Sequence, residues 1–414
     1  MDHPDPSGAA LSPLFLQRQR RLRMALEQRR TRHLYRSPST RGGPQGPQTI
    51  LDGRPVLAFC SNDYLGLAAH PTVVEALKRG AERYGVGSGA AHLVCGHTPA
   101  HSALEVELAE FMGAERALLF STGYMANLGV VTTLAGSGEL VVEDRLNHAS
   151  LVDGARLGDA RLRRYRHRDL GHATRLLDGS AGSCALLATD GVFSMDGDTA
   201  PLEGLQRAAA RHGGWMLVDD AHGIGVLGPG GRGTLQEAGL APRSNLVVMG
   251  TLGKALGTAG AFVAGDGLLI ETLIQEARTY IYTTAPPPAL AEATRVSLRL
   301  LQREDWRRER LTDLIAYFRA QARACALPVL PSASAIQPLM VGDASMALRI
   351  SEALLGQGIW VTAIRPPTVP PGQARLRVTL CATHTRQHLD RLLDALEQTW
   401  RRLPIPRPDA ETVE

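Results

Sequence analysis

Short apolar runs alternate with helix-periodic segments along most of the chain, and this alternation predicts the fold. An apolar run of roughly five residues suits a buried strand, whereas apolar residues recurring at about every third or fourth position suit a helix. The predicted strands are Ala117–Ser121, Leu140–Glu143, Arg161–Tyr165, Cys184–Thr189, Trp215–Asp219, Leu246–Gly250 and Gly260–Ala264. The predicted helices include Pro71–Tyr84, Ser102–Met112, Tyr124–Leu134 and Leu202–His212. The order predicts an α/β fold with a largely parallel sheet that is covered on both faces.

The two ends of the chain have patterns of their own. We expect residues 1–55 to form an N-terminal helix and a Gly/Pro-rich arm, residues 56–300 a large domain, and residues 301–414 a smaller α+β domain. We predict a long helix that follows Pro286–Pro288 and ends at about residue 303, and a second helix at 306–326. Strands near 336–341, 359–363 and 375–380 and a closing helix at 385–401 complete the predicted smaller domain. The tail from Pro404 is proline-rich and acidic, which predicts fraying.

Composition excludes several classes of protein. No stretch of 18 apolar residues is present, so no transmembrane helix is expected. The five cysteines lie far apart without a Cys-x-x-Cys pair, which argues against a zinc ribbon or a disulfide scaffold and favours the cytoplasm. The start, Met1–Pro6, lacks the basic-then-apolar order of a secretory signal.

An arginine-rich segment near the N-terminus raises a second class of function. Residues 18–36 hold eight arginines and one acid, Glu27, with Leu22, Leu26 and Leu34 interleaved. The leucines predict an amphipathic helix. A non-enzymatic module that binds nucleic acid through this helix is an alternative, but the net charge of +4 is small and no docking motif accompanies the segment.

Two motifs suggest sites that their context does not support. The glycines of Gly223–Gly228 spell G-x-G-x-x-G, the basis of an alternative NAD-dependent oxidoreductase. Pro229-Gly230-Gly231 follows directly, however, so the glycines do not open a helix as that fingerprint requires. His97, His101 and Glu105 have the spacing of metal ligands, but Pro99 places His97 before the helix start, and no metal is predicted.

Lysine usage points to one position. Only Lys78 and Lys254 are lysines, and the other 43 of the 45 basic residues are arginines, whose side chains cannot act as amine nucleophiles. Lys78 has Glu75 and Glu82 on its helix face, as a solvated charge would. Lys254 instead follows a predicted buried strand among glycines and small residues. Desolvation there would lower the pKa of its amine and make it a usable nucleophile.

Other chemical groups also follow predicted strands, at the edge where open α/β sheets bind ligands. Asp219 ends one strand and could pair with a cationic nitrogen, while Asp220 suits a turn or cap. The segment Phe120–Asn127 turns from strand to helix, and the N–H groups of such a helix start suit a phosphate. A lysine amine, a carboxylate and a phosphate cradle together predict pyridoxal 5′-phosphate as the cofactor.

These residues resemble those of the α-oxoamine synthases, within the aspartate-aminotransferase-like group of pyridoxal-phosphate enzymes. The resemblance covers about residues 20–400 and rests on Ser61–Leu67, Thr189–Asp198, Val218–Gly223 and Thr251–Gly257. It implies the pyridoxal-phosphate transferase fold of the aspartate-aminotransferase type, usually as a homodimer. The segments Ile364–Pro370 and Asp220–Gly228 are most similar to members that join L-alanine to a pimeloyl thioester, on coenzyme A or acyl carrier protein, during biotin biosynthesis.

The resemblance also implies residue roles. Lys254 would bind the cofactor as a Schiff base and move the alanine Cα proton, Asp219 would pair with the ring nitrogen, and His148 would stack on the ring and contact substrate. Supporting roles fall to three groups: Ser194 and His222 at the ring hydroxyl; Gly123, Tyr124, Thr251, Thr283 and Thr284 at the phosphate; and Asn62 and Arg377 for alanine, with Arg36 and Thr368 for the acyl donor. Thr283 and Thr284 would act from a partner subunit. The nearest alternative is a sister acyltransferase that uses glycine, such as glycine C-acetyltransferase or 5-aminolevulinate synthase.

Overall fold

The computed structural model describes residues 11–180, 182 and 184–403 of the chain. The first ten residues, which include Met1–Pro6, and the tail from Pro404, for which the sequence predicts fraying, lie outside these residues. Within the described part, none of the helices combines the length and the apolar character needed to cross a membrane.

Strands and helices alternate through the middle of the chain, as the apolar pattern predicts. The strands are β1 (Arg41–Gly42), β2 (Gln48–Leu51), β3 (Arg54–Ala58), β4 (Arg116–Phe120), β5 (Leu140–Asp144), β6 (Arg161–Tyr165), β7 (Cys184–Asp190), β8 (Trp215–Asp219), β9 (Leu246–Thr251), β10 (Ala261–Gly265), β11 (Ile336–Gly342), β12 (Ile359–Trp360), β13 (Thr362–Ile364) and β14 (Ala374–Thr379). The helices are α1 (Pro13–Thr31), α2 (Pro71–Tyr84), α3 (Pro99–Met112), α4 (Gly123–Leu134), α5 (Ala149–Leu157), α6 (Leu170–Asp178), α7 (Leu202–Arg211), α8 (Thr234–Glu237), α9 (Gly267–Glu276), α10 (Arg278–Ile281), α11 (Pro288–Arg303), α12 (Trp306–Ala324), α13 (Ala344–Gly356) and α14 (Arg386–Arg402).

A seven-stranded sheet with the order β4-β10-β9-β8-β7-β5-β6 forms the centre of the molecule. Neighbours from β9 to β6 run parallel, and β10 runs antiparallel to both β9 and β4. The predicted α/β fold with a mostly parallel sheet is therefore confirmed. Strands β7 and β8 lie in the interior of the sheet, as their almost wholly apolar sequences predict.

Successive residues of the central strands face opposite sides of the sheet and join two hydrophobic cores. Val141, Leu217 and Val247 pack with α4, α5 and α9, whereas Val142 and Val218 pack with helices that include α3, α7 and α11. Each of these five side chains is fully buried. This double coverage leaves the carboxyl ends of the strands as the open edge at which side chains can meet a ligand.

The predicted strand at 359–363 is in fact two strands in two different sheets. Ile359–Trp360 runs parallel to β3 in the sheet β1-β2-β3-β12, and Thr362–Ile364 pairs with β14 in the sheet β11-β14-β13. The buried Val361 lies between them. The arm contacts the C-terminal part, because the Arg365 guanidinium donates to the His33 and Tyr35 carbonyls. The domain boundaries at 55/56 and 300/301 stay a prediction.

The arm contains a β-hairpin that the prediction of a Gly/Pro-rich loop missed. Strands β2 and β3 are joined by Asp52 and Gly53, both with positive φ, at 47° and 81°. Asp-Gly is a strong signal for a two-residue hairpin turn, because these residues tolerate left-handed backbone. The hairpin was therefore readable from the sequence.

The arginine-rich segment forms α1, which begins at Pro13 and has Ser12 as its N-cap. None of its residues is buried within the chain, and Leu22 and Leu26 are 65% and 45% exposed. A helix is found in the predicted segment, but it ends at Thr31, before Leu34, and Leu22 and Leu26 cover no core of their own chain, so the predicted amphipathic face is not formed within this chain.

Candidate active site

Three neighbouring parallel strands bring the predicted catalytic residues to one edge of the sheet. In the β7–β8 pair Asp190 lies opposite Asp219, and in the β8–β9 pair Asp219 lies opposite Met249. Lys254 follows the end of β9 by three residues. Strand register thus places a lysine amine beside two buried carboxyl groups that are far apart in sequence.

The Lys254 amine lies at the head of a hydrogen-bonded chain of side chains. Its Nζ is 2.9 Å from Nε2 of the buried His222, and His222 Nδ1 is 2.6 Å from the Tyr64 hydroxyl. The Tyr64 hydroxyl donates to Asn62 Oδ1 at 3.3 Å, and the Arg377 guanidinium donates to the same oxygen at 3.0 Å. Since Nε2 accepts from the amine, the proton of neutral His222 resides on Nδ1.

Burial lowers the pKa values of Lys254 and His222, the first two members of this hydrogen-bonded series, and the shifts favour proton transfer. It lowers the pKa of Lys254 to about 8, with Arg377 contributing, although Asp219 and Asp190 act in the opposite sense. Burial and the nearby charge of Lys254 hold the pKa of His222 well below its ordinary value. A neutral histidine and an amine that releases its proton near neutrality suit proton transfer.

Asp219 is held as a hydrogen-bond acceptor. Its Oδ2 accepts from Asn127 Nδ2 at 2.7 Å and its Oδ1 from the backbone N–H of Ala221 at 3.1 Å. Asn127 also donates to the Ser150 hydroxyl at 2.8 Å, which is 2.7 Å from His148 Nδ1. The network links Asp219 on β8 to the exposed His148 at the start of α5. Asn127 and Ser150 were missed, since a helical Asn or Ser carries no signal of its own in the sequence.

Asp190 is a second carboxyl group that was missed. It ends β7, inside the Thr189–Asp198 segment that carries the family resemblance, and its Oδ1 accepts from the backbone N–H of His148 at 3.0 Å. Burial and the neighbouring Asp219 raise its pKa well above the ordinary value. Its position opposite Asp219 depends on pairing between strands, which residue type alone does not reveal.

The predicted phosphate residues surround the start of α4. Thr122 caps that helix through Met125 N, so Gly123 and Tyr124 occupy its first turn, where backbone N–H groups lack intrahelical acceptors. The Thr251 hydroxyl donates to Gly260 O at 3.2 Å. Near the same turn, the Ser121 hydroxyl donates to Thr284 O at 3.4 Å, so Thr283 and Thr284 lie beside α4 of their own chain. Their predicted action from a partner subunit stays a prediction.

Arg377 is buried on β14 and joins the small sheet to the site. Its Nε donates to the Ser194 carbonyl at 2.6 Å, and its Nη1 donates to Asn62. Three predicted residues, Asn62, Ser194 and Arg377, therefore meet. Arg36 donates to the Thr368 hydroxyl at 3.1 Å, and both are exposed. No hydrogen bond of the described residues links that pair directly to Lys254 or Arg377.

The glycine-rich loop at 223–228 packs around the carboxyl group of Asp220, and it does not lead from a strand directly into an α-helix. Gly225 N donates to Gly231 O at 2.7 Å, and Gly233 N donates to Leu227 O at 2.8 Å. A Cβ on Gly223 or Gly233 would clash with the buried carboxyl group of Asp220, which accepts from Thr234 N at the start of α8. The loop's glycines thus serve close packing, and Asp220 has the capping role that the sequence suggests.

The histidine cluster, by which we mean His92, His97 and His101, lies at the start of α3, where His97 precedes the helix as Pro99 predicts. One ring nitrogen of each lies within 4.8 Å of the others. The His92 and His97 Nδ1 atoms are 2.8 Å apart, shorter than the ~3.3 Å between two nitrogens on tetrahedral zinc with Zn–N bonds of about 2.0–2.1 Å. His101 contacts Thr98 through Nδ1 and Pro286 O through Nε2. These hydrogen bonds favour a structural role.

The sequence and structure match a family of known enzymes. The sequence model of the aminotransferase class I and II family matches residues 54–396. The chain belongs to this family. It is 58% identical over 385 residues to the 8-amino-7-oxononanoate synthase of Thioalkalivibrio sulfidiphilus, covering 92% of this chain and 98% of the relative. It is 58% identical over 375 residues to the enzyme of the same name from Nitrosococcus oceani, covering 91% of this chain and 100% of the relative.

Solved structures of two enzymes superpose on the chain. A serine palmitoyltransferase from S. paucimobilis has a TM-score of 0.84 at 32% identity, covering 94% of this chain and 96% of that one. The 8-amino-7-oxononanoate synthase of Francisella tularensis has a TM-score of 0.73 at 33% identity, covering 84% and 98%. The predicted fold type, the resemblance to α-oxoamine synthases and pyridoxal phosphate as cofactor are confirmed.

The side chains at the sheet edge fit this cofactor of the aminotransferase family. An aldehyde needs an amine that loses its proton readily, a ring nitrogen needs an anionic acceptor, and a phosphate needs N–H donors. Lys254, Asp219 and the start of α4 offer these three in one place. Lys78 has no such surroundings, since it lies exposed on α2 with Nζ 3.7 Å from Glu75.

Proposed function

We propose that the protein joins L-alanine to the acyl group of a pimeloyl thioester and releases carbon dioxide and the free thiol. The alanine Cα forms a carbon–carbon bond to the thioester carbonyl carbon as the carbon–sulfur bond breaks, and the bond from Cα to the carboxylate breaks as carbon dioxide leaves. The product is 8-amino-7-oxononanoate, in biotin biosynthesis. Relatives at 56–58% identity that carry the name of this synthase support the assignment.

The observation that carries the proposal is the Lys254–His222 pair beside Asp219. Bound at this edge, the cofactor supplies a ring that withdraws electrons from the substrate Cα. Lys254 Nζ, whose pKa is lowered to about 8, holds and returns the Cα proton. Neutral His222 accepts a hydrogen bond from Nζ and orients it, while Asp219 supplies the negative charge that keeps the ring nitrogen protonated.

The remaining predicted residues bind and orient the substrates. Arg377, with Asn62 on its Nη1, holds the alanine carboxylate. His148 covers the ring face from the start of α5, and Ser194 and His222 serve the ring hydroxyl. Gly123, Tyr124 and Thr251, with Thr283 and Thr284, hold the phosphate. The Arg36–Thr368 pair lies on the acyl-donor side. We further propose a cytoplasmic homodimer, which light scattering of the purified protein and cell fractionation would test.

A product assay tests the reaction and its nearest alternative. The purified protein is incubated with pimeloyl-coenzyme A and either carboxyl-labelled alanine or carboxyl-labelled glycine. We expect labelled carbon dioxide and 8-amino-7-oxononanoate with alanine, and slow turnover with glycine. Faster turnover with glycine and a short acyl donor would assign a sister acyltransferase. Binding of NADH by a colourless protein would favour an oxidoreductase.

Borohydride reduction followed by peptide mapping tests the lysine assignment. The protein should be yellow, and reduction should attach the pyridoxyl group to the peptide that contains Lys254. Lys78 is the internal control, because it is the other lysine of the chain and lies on the exposed face of α2. A label on Lys78, or none, would overturn the assignment.

A further inference from the structure

We propose that His167 is a positioning residue, which holds two loops of the active site together by donating hydrogen bonds from both ring nitrogens to Asp144 and Asp198. One loop, residues 144–148, carries His148. The other, residues 193–198, carries Ser194. The kinetic part of this inference rests on the proposed function.

The ring of His167 lies between two carboxylates. Its Nδ1 is 3.0 Å from Asp144 Oδ1, and its Nε2 is 3.0 Å from Asp198 Oδ2. Carboxylates only accept hydrogen bonds, so both ring nitrogens donate and the ring is an imidazolium. Although burial alone would lower it, the two carboxylates raise the pKa of His167 to about 9. The bridge is therefore intact across the neutral range.

Asp144 ties the first loop to the bridge. It is buried at the end of β5, and its carboxylate accepts from the backbone N–H groups of Leu146 and Arg168 at 2.8 and 2.7 Å. Its carbonyl accepts from Asn147 N, and the Asn147 side chain accepts from Asp190 N. The turn that ends at His148 is thus built on Asp144.

Asp198 ties the second loop to the same ring. Its carbonyl accepts from Phe193 N at 2.9 Å, which closes the loop, and the Phe193 ring packs edge-on against His167 at 4.4 Å. From the other side the loop is held by Arg375, 2.5 Å from Asp196, and by Arg377 on Ser194 O. On the β5–β6 side, the loop is held at Asp198 by His167 and by the more exposed Arg168.

The other charges near the ring cannot replace it. Arg168 Nη1 reaches Asp198 Oδ2 at 3.0 Å, but its side chain is 48% exposed and the contact with Asp144 is only through the backbone. Glu143 and Tyr165, which flank Asp144 on β5 and β6, bring no positive charge. Arg164 on β6 is cationic, but its side chain pairs with Glu143 and donates to the Arg145 carbonyl, and no hydrogen bond among the described residues joins it to Asp144 or Asp198. Without His167, the buried Asp144 carboxylate would lose its cationic partner. The two loops would then be joined only by the weaker restraints of Arg168 and of Asn147 and His148 on Asp190, and they should move more relative to each other.

The test compares His167→Ala with His212→Ala in the holoenzyme. His212 also lies beside a carboxylate, with Nε2 3.1 Å from Asp178 Oδ1 but without hydrogen-bond geometry, and both residues precede strands and so lie at the opposite edge of the sheet. We expect His167→Ala to lower kcat at least about 10-fold and to raise the KM for alanine, because Ser194 O holds Arg377. His212→Ala should keep wild-type kinetics. Added imidazole should restore part of the lost kcat of His167→Ala alone.

Hydrogen exchange of the apoproteins supplies a readout that needs no turnover. In His167→Ala, amides of residues 144–148 and 193–198 should exchange at least about 10-fold faster, and in His212→Ala they should not. Two results would overturn the proposal. One is unchanged exchange and kinetics in His167→Ala, and the other is a loss of activity with neither faster exchange in the two loops nor rescue by imidazole. If the wild type fails to condense alanine, the proposed function fails, and the exchange experiment still decides the positioning role.

Discussion

The strand-end site around Lys254 and the histidine cluster at the start of α3 both hold titratable side chains whose pKa values burial has shifted. Burial lowers the pKa of Lys254 to about 8 and that of His92 to about 3. The site combines an amine, an imidazole and carboxylates from separate strands, whereas the cluster combines three imidazoles within ten residues of chain. A shifted pKa therefore marks a reactive site only where the neighbours differ in chemistry and face an open edge.

The two regions also differ in how their hydrogen bonds are used. In the site, the donors run in one direction from Lys254 through His222 and Tyr64 to Asn62. In the cluster, His97 and His101 contact hydroxyls and a carbonyl of their own surroundings, at Ser102, Thr98 and Pro286. Changes in the site should therefore alter turnover, and changes in the cluster should alter stability.

The largest effect should come from Lys254→Ala. Loss of the amine removes both the attachment point and the proton carrier, so kcat should fall by a factor of at least about 10⁴. Steady-state product formation measures it, with Lys78→Ala as the matched control at wild-type rate. A Lys254→Ala protein that turns over near the wild-type rate would refute the central role of the site.

Asp219→Asn should follow, because an amide cannot stabilise a protonated ring nitrogen. We expect kcat to fall about 10²–10³-fold, the range for loss of one preorganised electrostatic group. Asp220→Asn is the neighbouring control. Burial raises the pKa of Asp220 to about 8, so its carboxyl is mostly protonated at neutral pH and an amide resembles it. Equal losses in both variants would show that the two carboxyl groups do not differ in role.

Lys254→Met in the apoprotein should raise stability. Because the folded pKa of about 8 lies below the ordinary 10.5, burying the charged amine costs up to about 3 kcal/mol at pH 7. Below the folded pKa the penalty is complete, and it disappears as the pH rises towards 10.5. Urea unfolding near pH 7 and near pH 9.5 should give a difference between variant and wild type that falls to about half or less. A difference independent of pH would contradict the shift.

The smallest effect on turnover should come from His97→Ala. The variant loses the hydrogen bonds to His92 and Ser102, which should lower the free energy of unfolding by about 1–2 kcal/mol, while kcat changes less than about twofold. Thermal unfolding and the product assay measure the two. Added zinc should not raise the unfolding temperature of the wild type. Stabilisation by zinc that His97→Ala abolishes would place a metal in the cluster.

Most of the fold prediction rested on local sequence patterns, and two elements of the fold were not predicted. The buried strands were placed correctly because apolar runs flanked by turns are strong signals. The β2–β3 hairpin was missed although Asp52-Gly53 announces it. The division of residues 359–364 between two sheets could not be predicted from the sequence. Ile359 pairs with β3 whereas Thr362 and Ile364 pair with β14, and the choice between these distant strands leaves no local pattern.

By itself, the sequence determined the order of strands and helices, the choice of Lys254 over Lys78, and the placement of Asp219 at a strand end, because apolar periodicity and residue chemistry are local properties. The tertiary structure alone decided that Asp190 lies opposite Asp219, that Tyr64 and Asn62 continue the chain from Lys254, and that His167 bridges two loops. Those contacts depend on strand register and on segments that meet across long stretches of chain, and no local pattern specifies which distant side chains share a pocket.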